Sequence, residues 1–206
     1  SEENKEQHID ALILKAKALL QDNYTLVFDY VLKAVLTDIQ DDVHEFGIQM
    51  DEWFSEQSLV KSGAVDQALS RLSEAGHTYE KEGALWLKTT SYGDDKDRVL
   101  VRQNGQKTYF TPDIAYHMNK LDRGYDMVID LFGADHHGYV ARMRAAMQAL
   151  GAKAEDYHVL LGQFVNLFRD GKPVQMSTSS GSFVTLRELR AEVGNDAAGF
   201  FYVNRK

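Results

Sequence analysis

Residues 127–164 read MVIDLFGADHHGYVARMRAAMQALGAKAEDYHVLLGQF, and this stretch decides the fold class. Met127 to Phe132 is an apolar run of the length of a buried strand, Gly138 to Gly151 carries helical spacing, and a second strand is expected from Val159 to Phe168. Strand, helix and strand at these lengths predict a right-handed βαβ crossover, and so an α/β domain built on a parallel sheet.

Upstream, the period changes. Ala84–Leu87, Val99–Val101 and Thr108–Phe110 are short β-like runs, and Asn104-Gly105 between the last two is a strong hairpin signal. Thr111-Pro112-Asp113 then opens a helix that runs to Gly124, with Thr111 expected as N-cap and Pro112 at the first helical position. Further back, 62–75 reads as a helix closed by Gly76, 48–54 as a short strand, and 1–47 as two helices. The second of these carries an apolar stripe interrupted by Asp38. Downstream, Asp170-Gly171 marks a turn, and short helices are expected at 186–193 and 196–203. The expected division is a helical segment, 1–47, followed by an α/β unit, 48–206.

The 206 residues, 44% hydrophobic and 26% charged, suffice for a core without staples. With no cysteine, disulfides, thiol nucleophiles and cysteine-ligated metal sites are excluded. Charge interrupts every apolar stretch well short of the roughly 20 residues a bilayer span requires, and no basic leader opens the chain. A cytoplasmic location without membrane contact is therefore expected. The net charge of −8 argues against a chain-wide phosphate-binding surface, although residues 152–206 carry 7 Lys/Arg against 6 Asp/Glu.

Three local groups could carry chemistry. Tyr109 and Asp113 lie four residues apart around a helix start, where the dipole favours an ionised carboxylate able to pair with a cation. The same spacing also suits a plain helix start with a core tyrosine. Gly133-Ala-Asp135-His136-His137-Gly138 follows a strand and precedes a helix, at the sheet end where open α/β folds keep their ligands. Its side chains could bind a metal, move protons or hydrogen-bond a polar substrate, or form only a polar turn. Gln175-Met-Ser-Thr-Ser-Ser-Gly181 is a hydroxyl-rich loop whose backbone could wrap a phosphate, though such loops are common on surfaces.

In order, DDVHEFGIQMDEWFSEQSL, GALWLKTTSYGDDKDRVLV, TYFTPDIAYHMNKLDRGYDMVIDLFGADHHGYV and VQMSTSSGSFVTLRELRAEVGNDAAGFFYV resemble the second half of the catalytic domain of arginyl-tRNA synthetases, class I aminoacyl-tRNA synthetases. The resemblance, from about residue 28 to the end, implies a partial Rossmann-type (HUP-like) parallel sheet with a β-hairpin insertion. It implies activation of arginine with ATP and transfer of the arginyl group to tRNA(Arg). By this resemblance, Tyr109, Asp113, Asp135 and His136 contact arginine, Asp113 pairing with its guanidinium; some relatives carry Gln at the His136 position. Gly133, Gln163, Phe164 and Met176 would lie about ATP and the adenylate. Gln175, Met176, Ser177 and Thr178 stand as a degenerate KMSKS-like loop. Mg²⁺ would arrive with ATP, and no metal would be held by the protein itself.

There are departures from the family. Gln175 and Thr178 occupy the lysine positions of that loop, and Ser179 and Gly199 stand where arginine is common among relatives. Loss of one preorganised cation can remove about 3–4 kcal/mol of transition-state stabilisation, by analogy with oxyanion donors. No HIGH-type ATP motif occurs; His44-Glu-Phe-Gly47 falls inside an expected helix and is no substitute. The expectation is a monomeric piece of an arginine–tRNA ligase, inactive alone for want of the HIGH-type half and an anticodon-binding domain. The alternatives are a non-catalytic paralogue that senses arginine or binds a partner and, more remotely, a DHH-type metal phosphoesterase.

Overall fold

The computed structural model describes residues 2–174, 176 and 183–204. Its helices and strands are α1 (Glu2–Leu20), α2 (Asn23–Glu45), α3 (Glu56–Lys61), α4 (Ala64–Glu74), β1 (Thr78–Lys81), β2 (Ala84–Leu87), β3 (Arg98–Val101), α5 (Phe110–Asp122), β4 (Val128–Gly133), α6 (Val140–Ala149), β5 (Tyr157–Gly162), β6 (Phe168–Arg169), β7 (Lys172–Pro173), α7 (Leu186–Val193) and α8 (Asn195–Asn204). Contacts divide the chain into two units, Ser1–Asp51 with Phe168–Lys206, and Glu52–Leu167.

In the unit Glu52–Leu167, β4 and β5 pair in parallel, from Val128↔Tyr157 to Gly133↔Gly162, with α6 between them in sequence. The α/β reading of 127–164 is therefore correct. One face of this pair turns Val128, Asp130 and Tyr157 inward, while Ile129, Leu131 and Leu160 of the other face are exposed. The core gathers Leu59 of α3, Leu72 of α4, Leu87, Leu100, Ile114 of α5 and Met143 and Met147 of α6. The antiparallel sheet β1-β2-β3 closes the unit.

Several boundaries differ from expectation. No strand forms at 48–54, where the apolar residues do not alternate into a ladder; instead Phe54 stacks on Tyr116 with ring centroids 4.4 Å apart. The expected helix at 62–75 is α4, and α3 precedes it across Gly63, whose φ of 75° interrupts the helical path. Strand β1 was not expected. Its turn into β2 is Glu82-Gly83, both at positive φ (53° and 74°), as a type I′ hairpin requires. The run 108–110 is no strand. One bridge, Val101↔Lys107, ends the pairing, and Phe110 already belongs to α5.

The expected N-cap is corrected to Tyr109. Thr111 lies inside α5 and donates its buried hydroxyl to the carbonyl of Leu100 at 2.7 Å, so its oxygen is engaged away from the helix end. Ahead of α6, residues Ala134–Tyr139 form a 3₁₀ segment. Strand β5 ends at Gly162 because its parallel partner ends at Gly133.

The other unit contains α1 and α2, the expected 1–47 segment, together with the β6–β7 hairpin, α7 and α8. Asp38, the break in the apolar stripe of α2, accepts from Arg187 at 2.9 Å. Helix α7 starts on a capping box formed by Thr185 and Glu188. No helix of the described residues is long and apolar enough to cross a membrane.

Candidate active site

The entry into α5 is fixed by the strand before it. The Thr108 backbone N–H donates to the Leu100 carbonyl at 2.9 Å, and Thr111 donates to the same oxygen. This clamp leaves Tyr109 91% exposed, at the rim of a groove of about 580 Å³ lined also by Glu56, Val60, Asp66, Lys107 and Pro112.

Asp113 sits in the first turn of α5, where the helix dipole favours negative charge. The Tyr139 hydroxyl donates to its Oδ2 at 2.5 Å. The Tyr139 ring is fixed edge-on by Phe110 and Phe132, with the Arg142 guanidinium 4.9 Å from its centroid. Burial, and then the Asp113 carboxylate, push the Tyr139 phenol well above its ordinary range. Among the described residues no Lys, Arg or His forms an ion pair with Asp113.

One turn further along α5, His117 Nδ1 lies 2.7 Å from the Asp113 carbonyl and Nε2 lies 2.6 Å from Asp130 Oδ2. Tyr157 donates to the same Asp130 oxygen at 2.6 Å, and Lys120 donates to Oδ1 at 2.6 Å. Burial alone would raise the Asp130 carboxyl, but His117, Lys120 and Tyr157 together hold it well below the carboxylate range. A buried charge with every oxygen engaged is the arrangement that makes its desolvation tolerable.

At the end of β4, Gly133 leaves room for the Asp135 carboxylate, which folds back over the place a β-carbon would occupy. Asp135 and His136 are exposed, with His136 Nε2 3.5 Å from Asp135 Oδ2. Gln163 and Phe164 follow β5 rather than lying on it, and Phe164 is exposed. Met176 is exposed and belongs to the other unit. Gln175, Ser177 and Thr178 lie outside the described residues. Among the described residues no three His, Asp or Glu side chains converge as a metal site.

A family model described as tRNA synthetases class I (R), catalytic domain, matches residues 10–202. The chain belongs to the arginyl tRNA synthetases of class I. It is 61% identical over 204 residues to the arginine–tRNA ligase of Thioalkalivibrio sulfidiphilus, covering 98% of this chain and 35% of that protein. It is 60% identical to the ligase of Hydrogenovibrio crunogenus, of which it covers 34%. A Campylobacter jejuni crystal structure named as an arginyl tRNA synthetase superposes with a TM-score of 0.82 at 36% identity, over 90% of this chain and 40% of that one. The chain thus spans about a third of the length of the curated relatives it matches.

Within this synthetase segment, the first two groups singled out in the sequence are joined. The 3₁₀ segment that carries Asp135 and His136 ends at Tyr139, which holds Asp113. Tyr109, in contrast, makes no side-chain hydrogen bond among the described residues. Sequence reasoning missed Tyr139, His117, Lys120, Asp130 and Tyr157. A signal was present: Asp113, His117 and Lys120 recur at helical spacing on α5, and Asp130 is a carboxylate at an inward position of an apolar strand, which demands partners.

Proposed function

We propose that this chain supplies the arginine-binding part of a class I arginine–tRNA ligase site. Asp113 pairs with the substrate guanidinium, Tyr109 lays its ring and hydroxyl along the side chain, and Asp135 and His136 complete the polar end of the pocket. The observation that carries this reading is the half-buried Asp113 carboxylate, braced on one oxygen by Tyr139 and without a cationic partner among the described residues. A guanidinium matches that carboxylate in charge and in planar geometry.

Gly133, Gln163, Phe164 and Met176 are proposed to serve ATP, brought in with Mg²⁺, and the loop Gln175–Thr178 its triphosphate. In the whole protein the arginyl group would pass from the adenylate to tRNA(Arg). The segment is proposed to work in the cytoplasm, as a monomer, and to be inactive alone, because a doubly wound sheet binds nucleotide across the crevice between its two halves. Titration calorimetry with arginine, citrulline and an unreactive ATP analogue tests the assignment. Binding of arginine and rejection of the uncharged citrulline are expected, and equal binding of both would refute the Asp113 role. Arginine-dependent pyrophosphate exchange by the isolated chain would overturn its proposed inactivity.

A further inference from the structure

We propose that Tyr139 and the His117–Asp130 pair are positioning residues for the guanidinium contact, holding Asp113 by its carboxylate and by its backbone carbonyl respectively. This rests on the reading of Asp113 as the arginine-binding carboxylate. A bidentate guanidinium–carboxylate pair needs both oxygens in one plane at a fixed place, and an unbraced aspartate rotates about its side-chain bonds. The Tyr139 hydroxyl fixes that rotation at Oδ2. It engages one lone pair, and among the described residues no other side chain bonds Oδ1 or the second lone pair of Oδ2, which can serve a ligand.

The helix itself is held from behind. His117 is buried, and both its ring nitrogens face oxygens, the Asp113 carbonyl at 2.7 Å and the Asp130 carboxylate at 2.6 Å. Asp130 is anchored in turn by Tyr157 of β5 and by Lys120, whose ammonium also lies 4.5 Å from the centroid of Tyr116. Asp130 sits three residues before Gly133 on β4. The chain of contacts therefore ties the turn that presents Asp113 to the strand that presents Asp135 and His136. A packed, fully bonded network is what keeps a constellation within the fraction of an ångström that ligand binding requires.

The test uses the 206-residue chain with the substitutions Tyr139→Phe and His117→Gln. Proton NMR of the ligand-free chain is expected to show a protected, downfield hydroxyl signal of Tyr139 that disappears in Asp113→Asn; its absence overturns the proposal whatever the ligand does. With folding confirmed by unchanged amide spectra, each substitution is expected to weaken arginine binding about tenfold, as expected for the loss of one hydrogen bond to a charged group. Binding of the unreactive ATP analogue is expected to stay unchanged, a selectivity that a general loss of structure would not produce. If His117→Gln does not fold, Tyr139→Phe decides, since it removes one oxygen at the pocket. Arginine affinity unaltered by Tyr139→Phe overturns the positioning role alone. No arginine binding by the unsubstituted chain overturns the arginine reading and the proposal with it, and a persisting Tyr139 hydroxyl signal would identify that as the failure of the ligand assignment.

Discussion

The unit Glu52–Leu167 and the unit Ser1–Asp51 with Phe168–Lys206 are held together by different forces. In the first, Leu72, Leu87, Leu100 and Met143 have no exposed surface, and a buried carboxylate is partnered on every side. In the second, none of the 23 residues of α2 is buried, and Ala198 is the one buried hydrophobic residue among those described. Its longer connections are mostly polar: ion pairs of Arg187 with Asp38 and Asp42 and of Arg190 with Glu45, and a hydrogen bond from Asn195 to the Glu45 carbonyl, with one edge contact of Phe46 on Tyr202 beside them. Apolar periodicity is equally clear in α2 and α5. The difference teaches that periodicity specifies an element and its face, while stability depends on whether that face is covered.

The largest effect expected from this contrast is at Asp130. Asp130→Ala removes the buried carboxylate that His117, Lys120 and Tyr157 all contact and should lower the stability of the first unit by about 3–5 kcal/mol in urea unfolding. Leu72→Ala, which empties a site with no exposure, should cost about 3 kcal/mol by the same measurement. A loss below about 1 kcal/mol in both would remove the distinction between the units.

The pH dependence sharpens the comparison. The folded Asp130 carboxyl lies below its ordinary value, so its contribution is fully present above the unfolded value of about 3.9. It is lost as the pH falls through the still lower folded value, because the unfolded chain then binds the proton first. Urea midpoints of the first unit measured from pH 7 down to pH 2 should therefore fall below about pH 4, and Asp130→Asn should flatten that fall. In the alkaline limb the sign reverses. The Tyr139 and Tyr157 phenols are raised in the folded chain, first by burial and then by Asp113 and Asp130. Their contribution should begin to decline above about pH 10, where the unfolded phenols ionise.

The same contrast explains how much could be read from the sequence. The βαβ unit was legible because an apolar run, a helical stripe and a second run each obey one period and need no distant partner. Asp170-Gly171 was legible as a turn because Asp and Gly both tolerate the left-handed region, and both adopt it here, at φ of 51° and 72°. Glu82-Gly83 makes the same kind of turn, but glutamate carries no such preference, so β1 went unseen. In the site, Asp113, Asp135 and Gly133 stood out by position on their elements. Tyr139 did not, because it meets Asp113 across 26 residues, and only the packing of α5 against α6, which Tyr139 caps, brings them together. Tyr109 was read as a strand end from its neighbours. The Leu100 carbonyl, by accepting from both Thr108 and Thr111, makes it a helix cap instead.

The smallest expected effect lies in the second unit and tests its half of the comparison most directly. Arg187 donates to Asp42 at 2.8 Å and to Asp38 at 2.9 Å, yet more than half of its side chain is exposed. Water competes for both bonds, and dissolved ions shorten the reach of exposed charges to about 3 Å at 1 M salt. Hydrogen exchange of the α2 amides around Asp38 and Asp42 should therefore quicken modestly between 10 mM and 1 M salt. Arg187→Ala should reproduce the high-salt rates at low salt and abolish the dependence. The amides of α5 beside the buried His117–Asp130 pair should respond little, because a desolvated pair is not reached by mobile ions. If α2 proved as insensitive to salt as α5, charge would not be what holds it, and cover for its apolar face would have to be found within the chain.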